Sequence, residues 1–176
     1  MNYKERNGNL ITLAKEGMFD LITHGCNCFC TMKSGIAPQM AENFQCDIFE
    51  LEGDEYKGDY NKLGQIDFRK LKEYDYGNNQ YEWLEFLWDL DSDIKPTGKE
   101  LYAVNSYTQY RYGKGLQLDY EALTLCLRKI NHVFRGKHIG LPQIGSGLAG
   151  GNWIKIKEII QKELKDCDVT VVIFKK

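Results

Sequence analysis

The sequence of 176 residues suits one domain of ordinary size, and its 43% hydrophobic and 27% charged residues are typical of a folded protein. This composition argues against a disordered chain, and no apolar run reaches the length of a membrane-spanning helix. The formal net charge of −2 argues against a protein that holds nucleic acid on a basic surface. We therefore expect no membrane partner, no nucleic-acid partner and a cytoplasmic location, or the host cytoplasm for a viral protein.

The first part of the chain alternates between strand and helix patterns. Tyr3–Arg6 predicts a short strand, and Leu10–Gly17 predicts an amphipathic helix that stops at a glycine. Phe19–His24 has the pattern of a buried strand. A helix is predicted within Gly35–Phe44, starting near Pro38 because proline suits the first helical turn.

The middle of the chain, about 46–99, is the least regular part and is predicted to be an insertion within a single domain. Leu63–Phe68 and Tyr81–Trp88 have the composition of strands, and Tyr76–Asn79 has that of a hairpin turn between them. Asp89–Asp93 lacks the glycine and the distal glutamate of a calcium loop, so we interpret it as a solvated turn.

The last part of the chain returns to alternation. Tyr107–Gly115 is predicted to be a loop, either a lid over a ligand or a surface loop whose tyrosines cover the edge of the core. The remaining predicted strands are Glu100–Ser106, Lys137–Pro142 and Val169–Phe174, and the helices are Asp119–Phe134 and Ile154–Leu164. Strands that alternate with helices predict a helix-covered, largely parallel sheet, to which the insertion can add antiparallel pairs.

Six cysteines occur without a secretory signal, so we expect reduced thiols. Cys26, Cys28 and Cys30 are spaced by two and would share one face of an extended segment. Their spacing does not match a zinc site, and we interpret them as small buried hydrophobic residues. No metal and no cofactor are expected.

Two glycine-rich turns carry the functional signal. One lies within His24–Ala37 and the other within Gly140–Asn152, and each joins a predicted strand to a predicted helix. Glycine allows backbone amides to wrap around a phosphate, and the helix that follows adds unpaired N–H groups. One such turn is often purely structural. Two of them, each with a polar side chain at its opening (Asn27 and Ser146), predict a ligand with two polar groups to bind, such as a diphosphate or a phosphate plus a sugar.

These turns resemble those of the macro domain family of ADP-ribose-binding proteins. Gly8-Asn9-Leu10 is similar to the family's Gly-Asp-Ile, and Leu21–Asn27 to the strand that ends in its ribose-binding asparagine. Lys33–Ala37 is similar to its Gly-Gly-Gly-Val-Ala loop, and Leu141–Gly150 to its second phosphate loop. The resemblance implies one macro domain over residues 1–176, with a three-layer α/β/α fold around a mixed, largely parallel sheet.

The resemblance also implies the ligand-binding residues. Ser34–Ala37 and Ser146–Gly150 would offer amides to the diphosphate, Asn27 would bind the distal ribose, and Phe174 would pack on adenine. Asn9 stands in place of the family's adenine-binding acid, although its carbonyl can still accept a hydrogen bond. The implied ligand-binding set is Asn9, Leu10, Cys26, Asn27, Lys33, Ser34, Gly35, Ile36, Ala37, Ser146, Gly147, Leu148, Ala149, Gly150 and Phe174.

Within the family, the motifs look most like the members that remove the terminal phosphate of ADP-ribose 1''-phosphate. Our hypothesis is metal-free hydrolysis in which His24 or Asn27 positions a water, although His24 can equally be a core histidine of the strand. Ala149 stands where another branch has a catalytic aspartate, and Ser106–Gln109 offers no lysine nucleophile. Removal of ADP-ribose from an ADP-ribosylated protein through a water molecule stays open, as does binding without chemistry. We expect a monomer.

Overall fold

The computed structural model describes residues 2–47, 57–75, 80–83 and 100–174. The predicted turns Tyr76–Asn79 and Asp89–Asp93 lie outside these ranges, as do residues 84–88 of the predicted strand Tyr81–Trp88. No helix among the described residues is long and apolar enough to cross a membrane.

Strands and helices follow one another along the chain much as the sequence predicts. The strands are β1 (Tyr3–Asn7), β2 (Leu21–Asn27), β3 (Ile66–Asp75), β4 (Gln80–Trp83), β5 (Leu101–Gln109), β6 (His138–Pro142) and β7 (Asp168–Ile173). The helices are α1 (Leu10–Lys15), α2 (Ala37–Phe44), α3 (Tyr120–Val133) and α4 (Trp153–Glu163), with a short 3-10 turn at Tyr60–Lys62.

The described strands form one sheet in the order β1-β7-β6-β2-β5-β3-β4. Strand β1 pairs in parallel with β7, β7 with β6, β6 with β2 and β2 with β5. The two strands from the predicted insertion pair antiparallel, β3 with β5 and β4 with β3. The prediction of a mixed, largely parallel α/β sheet is confirmed.

Both faces of the sheet are covered, which explains the nearly continuous apolar runs in its central strands. Successive side chains of a strand point to opposite faces, so Leu21 packs with Leu123 of α3 and Ile160 of α4. Its neighbour Ile22 packs with Leu13 of α1 and Met40 of α2. Two hydrophobic cores therefore lie on either side of the sheet, as a three-layer fold requires.

Strands β2 and β5 run further than the sequence pattern predicts. They pair in parallel to their ends, where Asn27 lies opposite Gln109. The prediction that the loop begins at Tyr107 is therefore wrong for residues 107–109. Backbone hydrogen bonds to β2 hold these residues in the sheet, and this long-range pairing leaves no local sequence pattern.

Candidate functional site

A cavity of about 410 Å³ lies at the carboxyl ends of the neighbouring strands β6, β2 and β5. Its walls come from the loops that follow these strands. In open α/β sheets this edge is the usual position for a ligand, and the volume is in the range of small-molecule sites. We call residues 28–36 the first loop and residues 143–152 the second loop.

The first loop presents free amides at the start of α2. Among the described residues, no acceptor lies within hydrogen-bond distance of the backbone N–H groups of Ser34, Gly35 and Ile36. Gly35 has φ 63°, a left-handed conformation that favours glycine. Helix α2 has no side-chain cap. The positive end of this helix and the free amides favour an anion at this wall of the cavity.

The second loop folds back on itself. The Gly151 amide donates to the Gly145 carbonyl at 2.8 Å, and the Gly150 amide donates to the Gly147 carbonyl at 3.0 Å. The amides of Gly147, Leu148 and Ala149 are left without an acceptor in the part of the chain that the structure describes. This loop therefore offers a second row of donors to the same cavity.

The two loops face each other across the cavity. A Cβ atom built on Gly35 would lie 4.0 Å from Cδ1 of Leu148. Leu148 is 69% exposed, so its side chain covers the cavity from outside rather than filling the core. The structure thus brings together the two glycine-rich turns that are far apart in the sequence.

The cavity wall carries almost no ionisable side chains. Of the described residues that line it, only Cys26 and Tyr112 carry a titratable group. Burial raises the pKa of the Cys26 thiol well above its usual value, so the thiol stays protonated and is a poor nucleophile. An anionic ligand would be held here by backbone amides and neutral polar groups.

No family model matches the chain. An uncharacterized 17.5 kDa protein of Enterobacteria phage T4, from the tk-vs intergenic region, is 29% identical over 173 residues and covers 94% of this chain and 92% of its own. The macrodomain of Thermus aquaticus DarG superposes with a TM-score of 0.57 at 17% identity, covering 99% of this chain and 98% of its own. The fold is that of a macrodomain.

Thermosipho africanus DarTG, solved in complex with ADP-ribose, superposes on this chain with a TM-score of 0.63 at 15% identity. The match covers 98% of this chain and 42% of that one. The longer DarTG chain therefore includes a region with the same fold.

The predicted ligand-binding residues divide into two groups. Those that line the cavity are Cys26, Asn27, Ser34, Gly35, Ile36, Ala37, Gly147, Leu148 and Ala149. Those outside the lining are Asn9, Leu10, Lys33, Ser146, Gly150 and Phe174. Most of the predicted residues in the centres of the two loops therefore line the cavity, and their role in binding stays a prediction.

Four of the predicted residues outside the cavity lining are buried in the core, exposed to solvent or bonded to other groups. Asn9 caps α1, with its Oδ1 accepting from the amides of Ile11 and Thr12. Leu10 is buried in the core, Phe174 is 63% exposed, and the Ser146 hydroxyl donates to the Gln143 carbonyl at 2.9 Å.

Asn27 lines the cavity, but its amide group organises the first loop. Oδ1 accepts from the Phe29 amide at 3.0 Å and from the Thr31 amide at 3.4 Å. Nδ2 donates to the Thr31 hydroxyl at 2.8 Å and to its carbonyl at 3.3 Å. With both donors and both acceptor positions engaged, Asn27 acts mainly by shaping the loop, and this argues against its predicted role in activating water.

The structure does not bring His24 to the cavity. Its side chain is 0% exposed and absent from the cavity lining. It follows Ile22 on the α2 face of the sheet, where its ring lies near Cys46. The interpretation of His24 as a core histidine therefore fits the structure better than the predicted role of positioning a catalytic water.

His24 belongs to a buried polar network. His24 Nε2 donates to Asn105 Oδ1 at 2.8 Å, and Asn105 Nδ2 donates to Asp67 Oδ1 at 2.8 Å. The Tyr107 hydroxyl donates to the other oxygen of Asp67 at 2.6 Å. Burial lowers the His24 pKa to about 4, against the opposing effect of Asn105. Burial also raises the Asp67 pKa to about 6, despite its bonds from Tyr107 and Asn105.

His24 should make the protein less stable in mild acid. Its folded-state pKa lies below the ordinary value of 6.5, so the unfolded chain takes up the proton first and stability is lost as pH falls from 6.5 towards 4. Between pH 7 and pH 5 the loss is about 2 kcal/mol. Asp67 has the opposite effect, since its raised pKa stabilises the fold as pH falls through 6. A comparison of wild type with a His24 variant leaves Asp67 in place in both proteins.

The measurement is urea unfolding of wild type and His24→Gln at pH 7 and pH 5. We expect the stability advantage of wild type at pH 7 to shrink by about 2 kcal/mol at pH 5. Equal losses in the two proteins would contradict the buried, neutral state of His24.

Sequence reasoning missed several residues of the cavity. Seven of them lie in or next to the two loops: Gly25, Thr31, Met32, Pro142, Gln143, Ile144 and Gly145. Four more come from the segment predicted to be a lid or a surface loop: Thr108, Gln109, Tyr112 and Gly113. The position of these residues at carboxyl ends of predicted parallel strands was the available signal. To use this signal one must know the order of the strands in the sheet, which a single sequence does not reveal.

Proposed function

We propose that this chain binds ADP-ribose, or a derivative with the same diphosphate, in the cavity between its two loops. The observation that carries the proposal is the pair of facing loops with unpaired amides at Ser34–Ile36 and Gly147–Ala149. Two rows of N–H donors on opposite walls match the two phosphates of one ligand. The absence of basic side chains from the described lining means that the amides would supply most of the attraction.

Two further observations support this ligand. A cavity of about 410 Å³ has room for a nucleotide that leaves part of its surface in solvent. The similar region of T. africanus DarTG belongs to a structure with bound ADP-ribose.

Calorimetric titration at physiological salt tests the binding proposal. We expect ADP-ribose and ADP, which carry a diphosphate, to bind at least about ten-fold more tightly than AMP, because one phosphate leaves one loop without a partner. Equal affinities for AMP and ADP, or no binding of either diphosphate, would contradict it.

Metal-free hydrolysis of the terminal phosphate of ADP-ribose 1''-phosphate is a second candidate function. The free amides support it through positioning, because they would hold the diphosphate and so fix where the terminal phosphate lies. Water would attack the phosphorus, the bond from phosphorus to the C1'' oxygen would break, and a proton would pass to that oxygen. The described lining offers no imidazole or carboxylate for this transfer, so we expect slow turnover compared with a site that has a general base.

Release of inorganic phosphate from ADP-ribose 1''-phosphate separates the two candidates. Phosphate release at equal rates by wild type and His24→Ala supports hydrolysis of ADP-ribose 1''-phosphate. It also assigns the catalytic role to groups other than His24. Tight binding of ADP-ribose without phosphate release leaves a binding protein. A parallel assay of ADP-ribose release from an ADP-ribosylated protein tests the third possibility, ester cleavage by water.

A further inference from the structure

A β-bulge at the end of β5 sets Thr108 apart from its neighbours. Tyr107 pairs with Cys26 and Gln109 pairs with Asn27, so Thr108 is the extra residue between two successive pairs. Bulges redirect a side chain and are frequent beside active sites. This bulge lies at the carboxyl edge of the sheet, where Thr108 lines the cavity.

The hydroxyl of Thr108 is buried without a partner. The residue is 0% exposed, and among the described residues no hydrogen-bonding group reaches its Oγ1. The Tyr102 hydroxyl of the same strand is also buried without a partner in the described part of the chain, but Tyr102 does not line the cavity. Several other buried hydroxyls of the sheet are paired. Thr23 and Ser106 share a hydrogen bond of 2.8 Å, and the Thr170 hydroxyl lies 2.9 Å from His138 Nε2. Buried polar groups are almost always satisfied, so an exception at a cavity wall indicates a ligand contact.

Gly25 of β2 lies beside the Thr108 hydroxyl. A Cβ atom built on Gly25 would lie 2.9 Å from Thr108 Oγ1 and 3.4 Å from Cγ1 of Ile144. Gly25 and Ile144 also line the cavity. A side chain at position 25 would crowd the Thr108 hydroxyl, so glycine keeps this part of the cavity wall free of a side chain.

We propose that Thr108 is a specificity-determining residue whose hydroxyl forms a hydrogen bond with an oxygen of the distal sugar of the ligand, or with a substituent on that sugar. This inference rests on the proposed binding of ADP-ribose. The sugar end would then lie beside Asn27, the residue that the resemblance assigns to the distal ribose, because Asn27 and Gln109 lie opposite each other at the same end of the paired strands. The diphosphate then spans the two loops, and Thr108 recognises the part of the ligand that ADP lacks.

The test compares Thr108→Val with Thr108→Ser. Valine keeps the shape of threonine and removes the hydroxyl, whereas serine keeps the hydroxyl. We expect Thr108→Val to bind ADP-ribose about ten-fold more weakly than wild type and to bind ADP unchanged, while Thr108→Ser retains the preference for ADP-ribose. The thermal midpoint of Thr108→Val without ligand should equal or exceed that of wild type, because no protein hydrogen bond is lost.

Each outcome of the titrations decides a separate point. If wild type binds ADP-ribose and Thr108→Val binds it equally well, the role of Thr108 is overturned and the proposed function stands. If Thr108→Val weakens ADP and ADP-ribose alike, the residue does not recognise the distal sugar and the inference is likewise overturned. If wild type binds neither nucleotide, the proposed function itself fails and the inference falls with it.

Discussion

Replacement of Gly147 with aspartate is expected to weaken ADP-ribose binding by at least about 30-fold. Gly147 lies in the second loop, and a Cβ atom there meets no heavy atom within 4 Å, so a side chain fits without disturbing the fold. The new carboxylate would lie beside the diphosphate. Repulsion between like charges at such a distance near a protein surface costs about 2 kcal/mol, even after screening by solvent.

Gly147→Asn is the matched control, since asparagine has nearly the same shape as aspartate and no charge. We expect it to change the affinity by less than about three-fold. The difference between the two variants should shrink in high salt, because salt screens the charge. Similar losses in both variants would indicate a steric effect and would argue against an anion at the second loop.

The second large effect is expected from Gly151→Ala. A Cβ atom at this position would lie 2.4 Å from Cδ2 of Leu118 and 2.8 Å from the backbone oxygen of Gly145. A backbone atom cannot rotate away, so the second loop has to open. Overpacking of this kind destabilises a protein by about 2 kcal/mol, and the displaced amides should weaken ADP-ribose binding about ten-fold.

Gly147→Ala is the control for stability, because the same substitution four residues earlier meets open space. It should leave the free energy of unfolding within about 0.5 kcal/mol of wild type. Denaturant unfolding and calorimetry on both variants measure the two effects. A stable, fully binding Gly151→Ala variant would show that the tight packing of this loop on Leu118 is not needed for the site.

Local sequence patterns predicted the layers of the fold because a strand that is buried on both faces of a sheet is a continuous apolar run. Leu21 and Ile22 pack into different cores, and this makes the run around them apolar throughout. The glycine-rich loops were also predictable, since Gly35 and Gly145 adopt positive φ angles that other residues avoid.

Other features depended on contacts that a single sequence does not reveal. Strand β5 continues to Gln109 because it pairs with β2, and the bulge that places Thr108 at the cavity arises from that pairing. The fully engaged amide of Asn27 and the burial of His24 are likewise products of the folded chain. The resemblance located both loops but could not distinguish residues that line the cavity from residues outside its lining, such as Asn9.

A crystal structure with bound ADP-ribose tests the central claim most directly. We expect the diphosphate oxygens to lie within about 3.2 Å of backbone nitrogens in both Ser34–Ile36 and Gly147–Ala149. A diphosphate bound to one loop alone, or bound outside the cavity at the carboxyl ends of β2, β5 and β6, would contradict it.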